Sequence, residues 1–166
     1  MKILPFEGGY FAVTHTADER LTAEVLPTRY KSSRMLSGAI YYLVTANQFS
    51  ALHKLPTDEL YYYHFGDSME MLLLGPEGKA ERKLLGMKLK AGQQPQLLAP
   101  RHWWQGSRPL PGGTHGFTLV STSMAPAYDE HDRVFGERET LKSQYPEYAD
   151  IINSLTRINH INKDLK

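Results

Sequence analysis

The sequence has no cysteine. That excludes a disulfide framework, a thiolate zinc site, a cysteine nucleophile and an iron–sulfur cluster. Any metal would have to rest on His, carboxylate, amide or water. Long apolar runs are also missing: none approaches the ~18 residues of a membrane span. Neither sign of charge dominates, with Lys+Arg at 19 against Asp+Glu at 18. No polybasic footprint therefore argues for nucleic acid, and no acidic tail for a solvating arm. The first residues, MKILPFEGG, lack a signal peptide's apolar stretch, so a soluble cytoplasmic protein is expected. Internal repeats, low-complexity segments and linkers are absent as well. A chain of 166 residues suits one domain, 1–166, able to bury roughly 70% of its unfolded surface without a covalent staple.

The middle of the chain reads as strands. Gly38 to Thr45, Leu60 to Phe65, Met69 to Leu74 and Phe117 to Ser121 are rich in β-branched and aromatic types. Turn signals separate them, among them Gly75-Pro-Glu-Gly78, a strong hairpin candidate. Strands at about 8–12-residue spacing predict an all-β sandwich or barrel over about 8–136. The charge mix from Lys79 to Lys90 reads as an outer strand face. Gly8-Gly9 reads as a turn or bulge, and Met69 and Met71 as core. The segment 137–157 changes character. Pro146 suits a first helical turn, and Tyr148, Ile151, Ile152 and Leu155 form one apolar helical face. The tail Asn159 to Lys166 is polar and is expected to fray.

One stretch carries chemistry: Ser50 to Gly66, SALHKLPTDELYYYHFG. It sets His53, Leu55, Glu59 and Gly66 at the spacing of the first cupin motif, His-x-His-x(3,4)-Glu-x(6)-Gly. Leu55 stands where the second His would be. Pro100-Arg-His-Trp-Trp-Gln105 matches the second motif, Pro-x-Gly-x(2)-His, in outline. His102 takes the Gly position and Gln105 the His position.

Beyond these motifs, the chain resembles the fifth cupin family, a domain-of-unknown-function group, over nearly its whole length. The resemblance rests on Glu7-Gly-Gly-Tyr10, Ala39-Ile-Tyr-Tyr-Leu43, Ser50…His53…Asp58-Glu59…Gly66-Asp67 and Gly92-Gln-Gln-Pro95-Gln96. It continues in Pro100…Trp104-Gln105, Ala125-Pro126…Phe135-Gly136 and the helical end from Arg138 to Arg157. It implies a cupin-type jelly-roll barrel, a double-stranded β-helix, with a short C-terminal helix, in a homodimer. In the family pattern an Arg follows Gly-Gly-Tyr-Phe; here Ala12 stands there, and Pro5-Phe6 replaces a His-Pro. An anionic ligand of other members would therefore find a different site here.

Strand alternation then predicts the cavity lining. If Glu59 points inward, so do Tyr61 and Tyr63, while Leu60, Tyr62 and His64 point out; if Gln105 points inward, so does Trp103. Tyr62 is the expected core filler of the tyrosine run. His53, Glu59, Tyr61, Tyr63, Trp103 and Gln105 would line an aromatic pocket for a small, sugar-like metabolite. Isomerase or epimerase chemistry follows, with His53 as base, Tyr61 or Tyr63 as acid, and Glu59 orienting. A non-catalytic binding protein is the alternative. So is a metal-dependent oxygenase or lyase with His53, Glu59 and Gln105 around a divalent metal ion, although Leu55 removes one ligand. No cofactor is otherwise expected. His64 and His102 read as structural or surface groups, and His115, His131 and His160 as solvated ones without partners. The apolar helical stripe and the Trp103-Trp104 pair exceed what a small barrel needs, which points to a homodimer through strand edges.

Overall fold

The computed structural model describes residues 1–157; the expected polar tail and His160 lie outside the described residues. Strands β1 (Lys2–Ile3), β2 (Tyr10–Thr16), β5 (Gly38–Thr45), β7 (Glu59–Gly66), β10 (Gln96–Ala99) and β12 (Phe117–Met124) form one antiparallel sheet, ordered β1-β2-β5-β12-β7-β10. A second sheet is ordered β13-β6-β11-β8-β9. Its members are β6 (Ser50–Lys54), β8 (Met69–Leu74), β9 (Ala80–Leu85), β11 (Trp104–Pro109) and β13 (Val134–Phe135). A small ribbon pairs β3 (Arg20–Leu21) with β4 (Arg34–Met35). The chain is all-β in its body, as its turn spacing predicts, and has the cupin-type two-sheet arrangement that the resemblance implies.

Alternation builds the core. Along β12 every second residue, Thr118, Val120, Thr122 and Met124, is buried, and those between are half-exposed. The inward residues of both sheets meet as Tyr42, Val44, Tyr61, Met69, Met71, Leu73, Leu97 and Val120. Strand β8 is buried on both faces because a second apolar layer covers the five-stranded sheet from outside. That layer comes from α1 (Arg138–Gln144) and α2 (Ala149–Ser154), whose Leu141, Ile151, Ile152 and the following Leu155 pack on Leu52, Leu72 and Leu74. The helical stripe is thus consumed inside the chain. So is the tryptophan pair: Trp103 packs on the inter-sheet core and Trp104 on the helical layer. Leu141, Ile151, Ile152 and Leu155 are buried in these contacts, and Trp103, Trp104 and Tyr148 are partly buried.

Loops are fixed by buried charge. Both Asp67 oxygens accept backbone N–H groups of the 114–116 loop: Thr114 at 2.8 Å, His115 at 3.0 Å and Gly116 at 2.8 Å. These bonds favour the carboxylate and hold Asp67 below its usual pKa. Buried Arg34 forks onto Asp132 and ties β4 to the segment before β13. Two histidines read as partnerless have partners: His115 reaches Asp67, and His131 pairs with Asp129, whose carboxylate raises its pKa.

Candidate functional site

The site forms where β6 and β11 of one sheet face β7 of the other. His53 and Gln105 are direct cross-strand partners, and Glu59 opens β7 opposite them. His53, Glu59 and Gln105 are all buried. Their side chains interlock: the Gln105 amide nitrogen lies 2.8 Å from Glu59 Oε2 and 3.3 Å from His53 Nε2. The motif spacing does bring these three residues together.

The tautomer of His53 follows from its neighbour. Its Nδ1 lies 2.8 Å from the Ala51 carbonyl oxygen, which can only accept. Nδ1 therefore carries the proton in the neutral ring, and Nε2 presents a lone pair. Glu59 has a different environment. Burial pushes its carboxyl pKa up, opposed in part by the charge of His53 when protonated. Tyr61 donates to the same Glu59 oxygen at 3.2 Å. Burial, reinforced by Glu59, drives the Tyr61 phenol pKa well above its ordinary value.

A cavity of about 220 Å³ opens above this cluster. Glu7, His53, Glu59 and Thr122 supply the polar wall beside the cluster, and His15 and Thr16 add polar groups from β2; Leu4, Phe11, Val13, Met35, Ile40, Leu55, Met124, Ala127 and Tyr128 supply most of the rest. The lining is mostly aliphatic, which corrects the expected aromatic cage. Tyr61 and Gln105 stand behind the polar wall and reach the cavity only through Glu59 and His53. Tyr63 is elsewhere: its hydroxyl donates to the Gly66 carbonyl at 2.5 Å, at the far end of β7. Four residues along a strand are about 13 Å, so sharing a face with Glu59 does not bring Tyr63 to the same height. Trp103 lies against Gly75 at the β8–β9 turn, where a Cβ would meet its ring at 2.5 Å. Tyr62, expected as core filler, is half-buried on the outer face; Tyr61 is the core residue, 3% exposed.

Sequence reading placed Glu7 only in a family pattern, yet it belongs to the site. Its Oε2 is 3.8 Å from His53 Nε2 and accepts from Arg133 Nη1 at 2.9 Å; Ser50 donates to Oε1 at 3.1 Å. The Gly8-Gly9 turn makes this possible. Both glycines have positive φ, and a Cβ on Gly9 would strike the Tyr42 ring at 2.7 Å. Tyr128 and Arg133 were also missed, because they come from an irregular segment without motif spacing. Burial pushes the Tyr128 phenol up to about 12.

His102 sits at the motif's Gly position and does take a left-handed φ of 65°, its N–H donating to the Leu55 carbonyl at 2.7 Å. Its side chain does not enter the cluster's hydrogen bonds. The His53, Glu59 and Gln105 donor set does not fit a divalent metal as arranged. The Gln105 amide nitrogen, not its oxygen, contacts both neighbours, and Leu55 offers only hydrocarbon. Among the described residues no three His, Asp or Glu side chains form a metal-binding group.

Comparison with known proteins agrees with this architecture. A family model described as Cupin superfamily (DUF985) matches residues 1–136. The chain is similar to a solved protein from Shewanella oneidensis, with 30% identity and a TM-score of 0.76 over 91% of this chain and 88% of that one. It is also similar to a hypothetical protein from Leishmania major, with 25% identity and a TM-score of 0.79 over 93% and 92%. Oxalate decarboxylase from Bacillus subtilis is more distant: 13% identity and a TM-score of 0.52, over 90% of this chain but 35% of that one. That likeness speaks for the fold alone. No functionally curated protein matches the chain. With its jelly roll, its motif residues gathered at one cavity and a family match over most of its length, the chain belongs to the cupin superfamily, in the family DUF985.

Proposed function

We propose that the chain binds a small, mostly apolar carbonyl compound in the inter-sheet cavity and moves a proton on it, an isomerase-like activity. One observation carries this reading: a histidine with a fixed lone pair and a carboxyl that burial favours as neutral share one cavity wall. His53 Nε2, once released by the Gln105 amide that donates to it at 3.3 Å, would take the proton from the carbon next to the carbonyl. Glu59 would give its proton to the carbonyl oxygen, leaving an enol. The products on the protein are an imidazolium and a carboxylate, and Glu7 offers the imidazolium a counter-charge at 3.8 Å. The imidazolium then returns its proton to carbon while the enol O–H returns its proton to Glu59, which restores both residues; where the enol is conjugated with a C=C bond, delivery to the far carbon of that system shifts the double bond. Glu59 thus takes the acid role first given to Tyr61 or Tyr63. The aliphatic walls favour an apolar ligand over a sugar-like one.

A second reading is a binding protein without turnover. It is favoured by Gln105, whose amide already donates to both His53 and Glu59. The test is ligand-dependent thermal stabilisation across small ketones, aldehydes and oxo acids, followed by proton exchange in D₂O. Deuterium should enter the carbon beside the carbonyl, and His53→Gln should slow that entry by about 10²–10⁴-fold. Stabilisation without exchange would leave the binding reading standing and remove the catalytic one.

A further inference from the structure

The cavity has a direction, and strand register measures it. Thr16, Gly38, Met124 and Glu59 are successive cross-strand partners on β2, β5, β12 and β7. All of them line the cavity, so its floor runs across these strands. At about 4.8 Å per strand, Thr16 stands about 14 Å from Glu59. The two ends differ. At the inner one, Glu59 is 7% and His53 2% exposed. At the other, Val13, His15 and Thr16 line the cavity and are exposed, so the mouth lies at β2. Strand β1 pairs with β2 only at Tyr10 and Phe11, which leaves this stretch as a sheet edge. The mouth is also polar. Neighbours on a strand point to opposite faces, yet His15 and Thr16 both reach the cavity. The register shift between Val13 and His15 explains this, since a bulge re-aims the side chains beside it. Tyr128 adds a phenol. Among the described residues the Thr16 and Tyr128 hydroxyls have no hydrogen-bond partner, and His15 has only a long 3.4 Å contact to Ser37. Between the two ends, Gly38, Ile40 and Met124 present hydrocarbon.

We infer that the ligand is a straight-chain carbonyl compound with a carboxylate at its far end, a class that rests on the carbonyl reading above. The carbonyl lies inward at Glu59 and His53, and the carboxylate lies at the mouth beside His15 and Thr16. Charge sets this orientation. Glu7 faces the inner end and repels a ligand carboxylate there, as does Glu59 whenever it ionises. The mouth offers an imidazole and two hydroxyls as donors, and no carboxylate lines it. Two measures set the length. Taking a contact of about 3.5 Å off each end of about 14 Å leaves an extended chain of roughly six carbons. At ~30 Å³ per water-sized group, the 220 Å³ cavity holds roughly seven non-hydrogen atoms. A 2-oxo acid of the same length has its charge at the wrong end.

Isothermal titration with matched probes tests it: 6-oxoheptanoate, its isomer 2-oxoheptanoate, the neutral 2-heptanone and the shorter 4-oxopentanoate. The first should bind about tenfold or more tightly than each of the others. His15→Ala should remove most of its advantage over 2-heptanone and leave the affinity for 2-heptanone unchanged. Thr16→Val, which keeps the side chain's shape, should act in the same direction. Equal affinity for 6-oxoheptanoate and 2-heptanone overturns the inference, as does tighter binding of 2-oxoheptanoate or a full preference that survives in both variants. The carbonyl reading then still stands on 2-heptanone, through its binding and the entry of deuterium beside its carbonyl. If none of the probes binds, both fail. Binding in the expected order without deuterium entry removes the proposed reaction and supports the ligand class.

Discussion

Glu59 shows how one buried side chain links stability to chemistry. Its folded-state pKa is raised above 4.5, chiefly by burial. Between those two values the folded chain binds more protons than the unfolded one, so stability falls as pH rises through that window. The favourable contribution is complete only below about 4.5 and is lost once the folded-state group ionises. Glu59→Gln keeps the shape and stays neutral throughout. Its melting temperature relative to the unmodified chain should therefore increase between pH 4 and pH 8. A difference that does not change with pH would remove the raised pKa and, with it, the acid role of Glu59. Motif spacing made this residue legible, together with His53 and Gln105, because the motif encodes which strand positions meet. Tyr63 and Trp103 were misjudged for a geometric reason: alternation reports the face of a side chain, not its height along the barrel. Glu7 lay beyond reach because its approach depends on a chain reversal at Gly8-Gly9 and a partner, Arg133, more than a hundred residues away.

At the scale of elements, the C-terminal helices are too short to persist alone. They have seven and six residues, fewer than two turns each, whereas isolated helices need ~12–15 residues to be even marginal in water. Their order comes from the apolar face they lay on β6 and β8. Ile152 is fully buried there, so Ile152→Ala should cost about 2–5 kcal/mol, read as a lower urea midpoint at unchanged slope. Amide exchange should rise first in 138–155. An unchanged midpoint would mean the helices add little to the fold. The i, i+3, i+4, i+7 spacing foretold this face, and β5 and β8 match their predicted runs end to end. Strands β10 and β11 were harder to see, since QLLA is short and WQGSRP has Gly and Pro within it. Both are held by strand partners on β7, β6 and β8 rather than by their own propensity.

On the scale of the whole molecule, the jelly roll separates two surfaces of one sheet. The inner face of the six-stranded sheet carries Glu59 and much of the cavity wall, and the outer face carries Tyr41, Tyr62 and Ser121, which sit side by side on β5, β7 and β12. Alternation along β7 and β12 lets either face change without altering the other. A ligand that fills the cavity binds the folded chain and not the unfolded one, so its stabilisation should grow with the logarithm of its concentration above Kd. Ser121→Ala leaves the cavity lining unchanged, and the same ligands should raise its melting temperature by a similar amount. If the substitution abolishes ligand stabilisation, the two faces are coupled and their independence fails.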